Sequence, residues 1–320
     1  MTALPPPPLA PEAAVRRVGV TVGRRLDGLL AGDHLGFLPG PGSERAEARL
    51  YAVGDDARRI DWAVSARTGE THVRMATADR ELETTLVVDL TPSMSFGTSR
   101  SEKRDLAIAV AAGVAQLTSG SGDRVGALVL GATGLRRVPP RTGRTAALAL
   151  QHFLAREPRA TDGAGPPLAE ALAALLLPPR RRGLVVVLSD LLEPGVPAEP
   201  SWARPLRQLA ARHTVVVAEV VDPRELALPA VGLLRLVDPE TGRTREVHTS
   251  AGLRARYADA ARDRGARHRA AVRRAGARHV VLRTDRDWLP DLARCLTGRS
   301  PAALPDTARP LDARPEPPRV

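Results

Sequence analysis

The sequence predicts an α/β fold built on a doubly wound, mostly parallel sheet, with a small β-containing subdomain before it. Three observations lead there. From Glu81 onward, short apolar runs alternate with longer helix-period segments, the pattern of parallel strands joined by crossover helices. Two of the runs, Thr85–Asp89 and Gly183–Leu188, carry consecutive apolar residues rather than alternating ones, as strands covered on both faces do. Both run out into polar residues, Asp89 in one case and Ser189 with Asp190 in the other, and the carboxyl ends of such strands are where open α/β sheets bind ligands.

Taken in order, residues 1–11 read as a disordered, proline-rich tail, and residues 12–80 as an N-terminal helix (12–30) and a subdomain with extended segments near 48–52 and 72–75. Residues 81–298 form the main domain. After the first strand comes a helix from Glu102 to Leu117, a strand at 125–130, a short edge strand at 135–138 and helices at 144–155 and 168–177, the last stopped by Pro178 and Pro179. The second buried strand follows, then a helix at 204–212, a strand at 214–221, and an inserted hairpin within 231–248 that turns at Glu240 to Gly242. A long helix at 253–275, a strand at 280–283 and a closing helix at 288–296 complete the domain, and 299–320 reads as a second disordered tail.

Composition narrows the function classes. The 320 residues are 43% hydrophobic, enough to bury a large core. No apolar run approaches membrane-span length and the proline-rich start has no signal-peptide core, so a cytoplasmic location is expected. Cys295 is the only cysteine, which excludes an internal disulfide and a cysteine-based metal cluster. The net charge of +11 invites a nucleic-acid reading. Against it, the basic residues are arginine throughout except Lys103, and only 2% of residues are aromatic, so stacking platforms are scarce.

Chemistry concentrates at the strand ends. If the strand from Gly183 neighbours that from Thr85, then Asp89, Asp190 and the hydroxyls of Thr91 and Ser93 converge on one crevice. Hard oxygen ligands of this kind suit Mg²⁺ or Ca²⁺, with an open position for an outside carboxylate. The bland alternative is that Asp, Thr and Ser here serve only as turn and helix-capping residues.

These residues also resemble a known family. Gly42-Ser43-Glu44, Arg49-Leu50-Tyr51, Gly54-Asp55-Asp56, Arg58-Arg59-Ile60-Asp61-Trp62 and Ala66-Arg67, then Val88 to Met94, Gly122 to Gly126, Pro139 to Arg141, Leu188 to Asp190 and Thr284 to Leu289 together resemble the bacterial domain of unknown function 58 (DUF58) family, over about Gly36 to Gly298. The resemblance implies a von Willebrand factor A-like fold and a role beside a MoxR-type AAA+ ATPase in a chaperone or maturation system, and the strand-end grouping of Asp89, Thr91, Ser93 and Asp190 without catalytic machinery points to a non-enzymatic interaction module. It also implies a metal-adhesion site with ligands from three loops: Thr91 and Ser93 from the first, a threonine from the second, and an aspartate through water from the third, here Asp190. For the second loop the match is Thr161. The family places Gly-Gly-Thr-Asp directly before a helix; this chain reads Arg159-Ala160-Thr161-Asp162, with Gly163 to Pro167 intervening.

Gly54, Asp55, Asp56, Arg59, Asp61 and Trp62 admit two readings, a contact surface or internal salt bridges and turn caps, with Trp62 expected as a packing anchor. A Mg²⁺-dependent phosphatase-like hydrolase is the enzymatic alternative, because an apolar strand ending in Asp suggests aspartyl-phosphate chemistry; Thr91 stands where such enzymes want a second aspartate. The arginine-rich helix 253–275 offers a nucleic-acid contact, against the simpler reading of a solvated face. The histidines lack zinc-site spacing, Cys295 reads as core, and neither a nucleophile elbow nor a Walker-type phosphate loop appears.

Overall fold

The computed structural model describes residues 48–52, 57, 60–74, 83–99, 101–118, 123–159, 165–177, 182–195, 197–238 and 242–297. Both expected tails, the helix expected over 12–30, and Gly54, Asp55, Asp56, Arg59 and Thr161 lie outside the described residues.

The N-terminal part pairs two short antiparallel strands, β1 (Ala48–Leu50) and β2 (His72–Arg74), on either side in sequence of a helix, α1 (Trp62–Thr68). Sequence periodicity gave no sign of α1, which is only seven residues long. Its start is set by Asp61, whose Oδ1 accepts from the backbone N–H groups of Ala63 and Val64 at 3.1 Å, satisfying two of the donors that a helix start leaves orphaned. Ser65 Oγ accepts from the His72 N–H at 2.8 Å and ties the helix to β2. Trp62 does not pack as expected. It occupies the first helical position of an element with no buried residues and is 72% exposed.

The main domain runs β3 (Glu83–Asp89), α2 (Lys103–Leu117), β4 (Arg124–Gly131), β5 (Gly134–Thr142), α3 (Arg144–Arg156), α4 (Leu168–Ala174), β6 (Gly183–Ser189), α5 (Ala203–Ala210), β7 (Thr214–Val221), α6 (Pro223–Leu226), the hairpin β8 (Leu233–Val237) and β9 (Thr244–His248), α7 (Ala251–Arg274), β10 (Arg278–Arg283) and α8 (Leu289–Thr297). Six strands form the central sheet in the order β10-β7-β6-β3-β4-β5, parallel except for β5. This is the expected doubly wound, mostly parallel α/β sheet, with strand order reversing between β3 and β6. The edge strand β5 is longer than its sequence pattern suggests because the turn at Gly134 lets it pair back along all of β4.

Alternation along each strand divides the core. Leu86, Val88, Leu184, Val186, Leu188, Val216 and Ala218 face one side, where they pack with α2, α3 and α8. Val87, Val185, Val187, Val215 and Val217 face the other, against Leu172 of α4, Leu206 of α5, Val272 of α7 and the indole of Trp202. With about 1.5–3 kcal/mol for each fully buried aliphatic side chain, this double covering fixes the register of β3 and β6, since a one-residue slip would exchange the two faces. Gly183 opens β6 where the chains come closest: a Cβ there would lie 2.0 Å from the Glu83 carbonyl oxygen.

α7 begins at Ser250, whose side chain accepts from the Leu253 N–H, and ends on Gly276, with φ of 80°. There the N–H groups of Gly276 and Ala277 donate back to the carbonyls of Arg273 and Val272, a Schellman ending. Most arginines of this helix face solvent, while Arg264 turns inward to donate to the Glu225 carbonyl oxygen at 3.1 Å.

Glu219 of β7 joins this helix to the edge strand. Its two carboxylate oxygens contact His268 Nδ1 of α7 at 2.8 Å and His279 Nε2 of β10 at 2.9 Å. Burial alone would raise the Glu219 carboxyl, but the hydrogen bonds from His268 and His279 outweigh it and hold the group below its ordinary value of 4.5. A lowered native value means that the stabilisation is complete above the ordinary glutamate range and fades as the pH falls through the native value. Glu219→Gln is therefore expected to cost about 2 kcal/mol in urea unfolding at about pH 7, with the gap to the parent closing as the pH falls below the ordinary glutamate range and through the lowered native value; a pH-independent gap would remove the ionised pairing from this account.

Candidate functional site

Side-by-side pairing of β3 and β6 matches Val88 with Leu188, so the next residues, Asp89 and Ser189, meet at the rim of the sheet. Ser189 Oγ donates to Asp89 Oδ2 at 2.6 Å. The other oxygen, Oδ1, accepts from the Thr91 N–H at 3.0 Å and from Thr91 Oγ1 at 2.6 Å. Thr91 then caps a 3-10 turn, Pro92–Met94, which brings Ser93 Oγ within 3.3 Å of Thr91 Oγ1. Asp89, Thr91, Ser93 and Asp190 are thus assembled at one rim, each no more than 8% exposed. Thr161, the expected second-loop residue, lies outside the described residues; Gly165, four positions later, passes against the first loop. A Cβ on Gly165 would stand 2.4 Å from Thr91 Cγ2, so only glycine lets the backbone approach so closely.

The third loop holds Asp190 by a strained turn. Leu191 is the one non-glycine residue with positive φ among the described residues, at 58°, and it is buried. A left-handed leucine costs about 1–2 kcal/mol, offset here by two hydrogen bonds that the turn permits. The Leu191 N–H reaches Ser189 Oγ at 3.1 Å, and the Leu192 N–H reaches Asp190 Oδ1 at 3.1 Å.

A residue that sequence reasoning missed completes the site. Lys103, at the start of α2, is 1% exposed and places its ammonium 2.8 Å from Asp190 Oδ2 and 2.5 Å from Glu225 Oε1. Burial pulls its pKa down, yet the two carboxylates outweigh that effect and hold it above the ordinary lysine value. The Phe96 ring lies beneath it, 5.9 Å from the ammonium, and the Lys103 N–H donates to the Phe96 carbonyl at 2.8 Å. Glu225 in turn closes a capping box with Asp222, and Asp222 accepts from Thr98 and from Thr284 Oγ1. A buried polar chain therefore links the loops after β3, β6, β7 and β10. The sequence did hold a signal for Lys103: it is the single lysine among 47 basic residues.

The charges do not balance. Asp190 and Glu225 share one ammonium, and Asp89 lies near enough to Asp190 to feel its charge. Asp89 shows the effect, its carboxyl pushed up from 3.8 to about 6 by burial and then by the Asp190 charge, against the opposing hydrogen bonds of Ser189 and Thr91.

Would these residues suit a divalent cation? No group of three or more His, Cys, Asp or Glu side chains converges as a ligand set among the described residues. The Thr91 and Ser93 hydroxyls do stand at 3.3 Å, near the spacing of about 3 Å between adjacent oxygens around a hexacoordinate Mg²⁺. Together with the excess negative charge behind them, they fit a cation held directly by hydroxyls and through water by Asp89 and Asp190. Near these residues in sequence, Phe96 and Leu192 are 37% and 38% exposed.

Comparison with other proteins follows from this geometry. The family described as "Protein of unknown function DUF58" matches residues 47–267. Relatives named Uncharacterized protein Mb1516, in Mycobacterium bovis, and Uncharacterized protein Rv1480, in Mycobacterium tuberculosis, are each 49% identical over 296 residues, covering 91% of this chain and 90% of theirs. Among solved structures, the conserved hypothetical protein BatB from Bacteroides thetaiotaomicron is similar with a TM-score of 0.41 at 14% identity, over 66% of this chain and 94% of that one. The von Willebrand factor type A from Catenulispora acidiphila is similar with a TM-score of 0.39 at 14% identity, over 71% and 42%.

Because the native Asp89 holds its proton more tightly than the unfolded chain does, stability drops as the pH rises from about 4 to about 6. Asp89→Asn is thus expected to raise stability above about pH 7, by up to about 3 kcal/mol, and to lose that advantage in acid. Thermal unfolding of the two proteins across this range checks it, and a destabilised Asn variant at neutral pH would contradict the assignment of buried, repelled charge.

Proposed function

The chain belongs to the DUF58 family, and from that premise we propose that it is a protein-interaction module that grips an acidic side chain of its partner at the β3–β6 rim. The observation that carries this reading is the pair of adjacent hydroxyls on Thr91 and Ser93, backed by Asp89 and Asp190 at the topological switch of the sheet. A divalent cation, Mg²⁺ or Ca²⁺, would be held by those hydroxyls and would supply the positive charge for the partner's carboxylate. Thr161 is the remaining direct ligand in this reading.

The side chains divide the work. Asp89 orients Thr91 through two hydrogen bonds, so the hydroxyl is preorganised rather than ordered on binding. Phe96 and Leu192 offer apolar contact beside the charge, the combination that interface centres favour. The partner expected from the family resemblance is a MoxR-type AAA+ ATPase, within a chaperone or maturation system in the cytoplasm. Nothing in this arrangement requires turnover, and the module is read as non-enzymatic.

Capture of a MoxR-type AAA+ ATPase from the same organism by immobilised full-length chain, with Mg²⁺ present, is the direct assay. Ser93→Ala and Asp89→Ala are each expected to reduce capture about tenfold or more, and chelation to reduce it similarly, with circular dichroism unchanged. Capture equal to the parent's by both folded variants would remove this rim from the interface.

A further inference from the structure

The sole lysine of the chain lies beside the candidate cation site, fully buried, and is shared by two acids from different loops. We propose that Lys103 is a positioning residue that acts as an internal counter-ion: its ammonium competes with a divalent cation for Asp190 and retreats toward Glu225 when the cation binds. The inference rests on the cation reading above and adds a residue that sets the affinity of that site.

Several observations converge on it. Lys103 Nζ donates to Asp190 Oδ2 at 2.8 Å and to Glu225 Oε1 at 2.5 Å, so one ammonium already bridges the third-loop acid and a second acid behind it. Asp190 keeps its other oxygen on the Leu192 N–H, which fixes the carboxylate while leaving acceptor capacity for a cation-bound water. Glu225 is anchored independently, its second oxygen accepting from the Asp222 N–H at 2.9 Å, and therefore stays in place as an alternative partner for the ammonium. Replacement by arginine, the otherwise universal basic residue here, would introduce a planar fork in place of a compact charge with three rotatable donors. Only the compact ammonium can pivot between two acids in a space that is 1% exposed and floored by the Phe96 ring.

Competition has a signature that a structural role lacks, because the two obvious substitutions must act in opposite directions. Lys103→Met removes the competing charge and leaves Asp190 available, so Mn²⁺, used as the probe ion, should bind more tightly by on the order of tenfold. Glu225→Gln removes the alternative partner, commits the ammonium to Asp190, and should weaken Mn²⁺ by several-fold. Calorimetric titration of the full-length parent and both variants with Mn²⁺, alongside Mn²⁺-induced shifts in melting temperature, reads both effects. Tighter binding by Lys103→Met with weaker binding by Glu225→Gln supports the proposal. Parent-like or weaker Mn²⁺ binding by a folded Lys103→Met overturns it while leaving the cation site standing. Should Lys103→Met fail to fold, Glu225→Gln decides alone, and unchanged or tighter binding there overturns it. No Mn²⁺ binding by the parent or any folded variant at millimolar ion would discard the cation reading and this inference together.

Discussion

Parallel pairing of β3 with β6 is the constraint on which the site depends. The candidate site residues stand at or just beyond the last position of each strand, and the register of the two strands decides that Asp89 ends beside Ser189 rather than beside a hydrophobic neighbour. That register is held by side chains on both faces at once, and slippage would exchange core contacts along two strands. The polar rim therefore inherits its geometry from apolar packing several residues away.

The same packing makes the rim electrostatically uncomfortable. Ion pairs taken out of water are weak sources of stability and often lose to apolar replacements. Here one ammonium serves two acids while a third stands close by, and Leu191 adds a left-handed backbone. Strain of this kind persists only where the surroundings over-determine it.

Much of this was legible in the sequence. Consecutive apolar residues in 86–88 and 184–188 identified the central strands, and polar residues following each of them located the rim. Local pattern was weaker where geometry is set by tertiary contact. The helix at Trp62–Thr68 is too short to show a period, and only the capping by Asp61 reveals why it starts there. β5 outran its pattern because its length comes from pairing with β4. Lys103 was invisible as a site residue because it stands in no motif-like spacing to Thr91 or Ser93. The fold alone brings it to their rim, through Asp190 and Glu225, which are distant in sequence. Composition alone singled it out.

Two aspartates at the carboxyl ends of β7 and β3, either side of β6, show what separates a site from its support. Asp222, after β7, is buried beneath donors from three segments: the Thr98 N–H and hydroxyl, the Arg224 N–H and the Thr284 hydroxyl. Burial raises its carboxyl, but those donors outweigh it and the group settles below its ordinary value. Asp89 also accepts three hydrogen bonds and still moves the other way, because the loss of water outweighs those donors and the charge of Asp190 stands nearby. The difference therefore lies first in how completely the Asp89 carboxyl is removed from water and then in the nearby charge of Asp190. Asp222 is charge already satisfied by the fold, and it fastens loops together; Asp89 stands at the β3–β6 rim with its carboxyl held above its ordinary value.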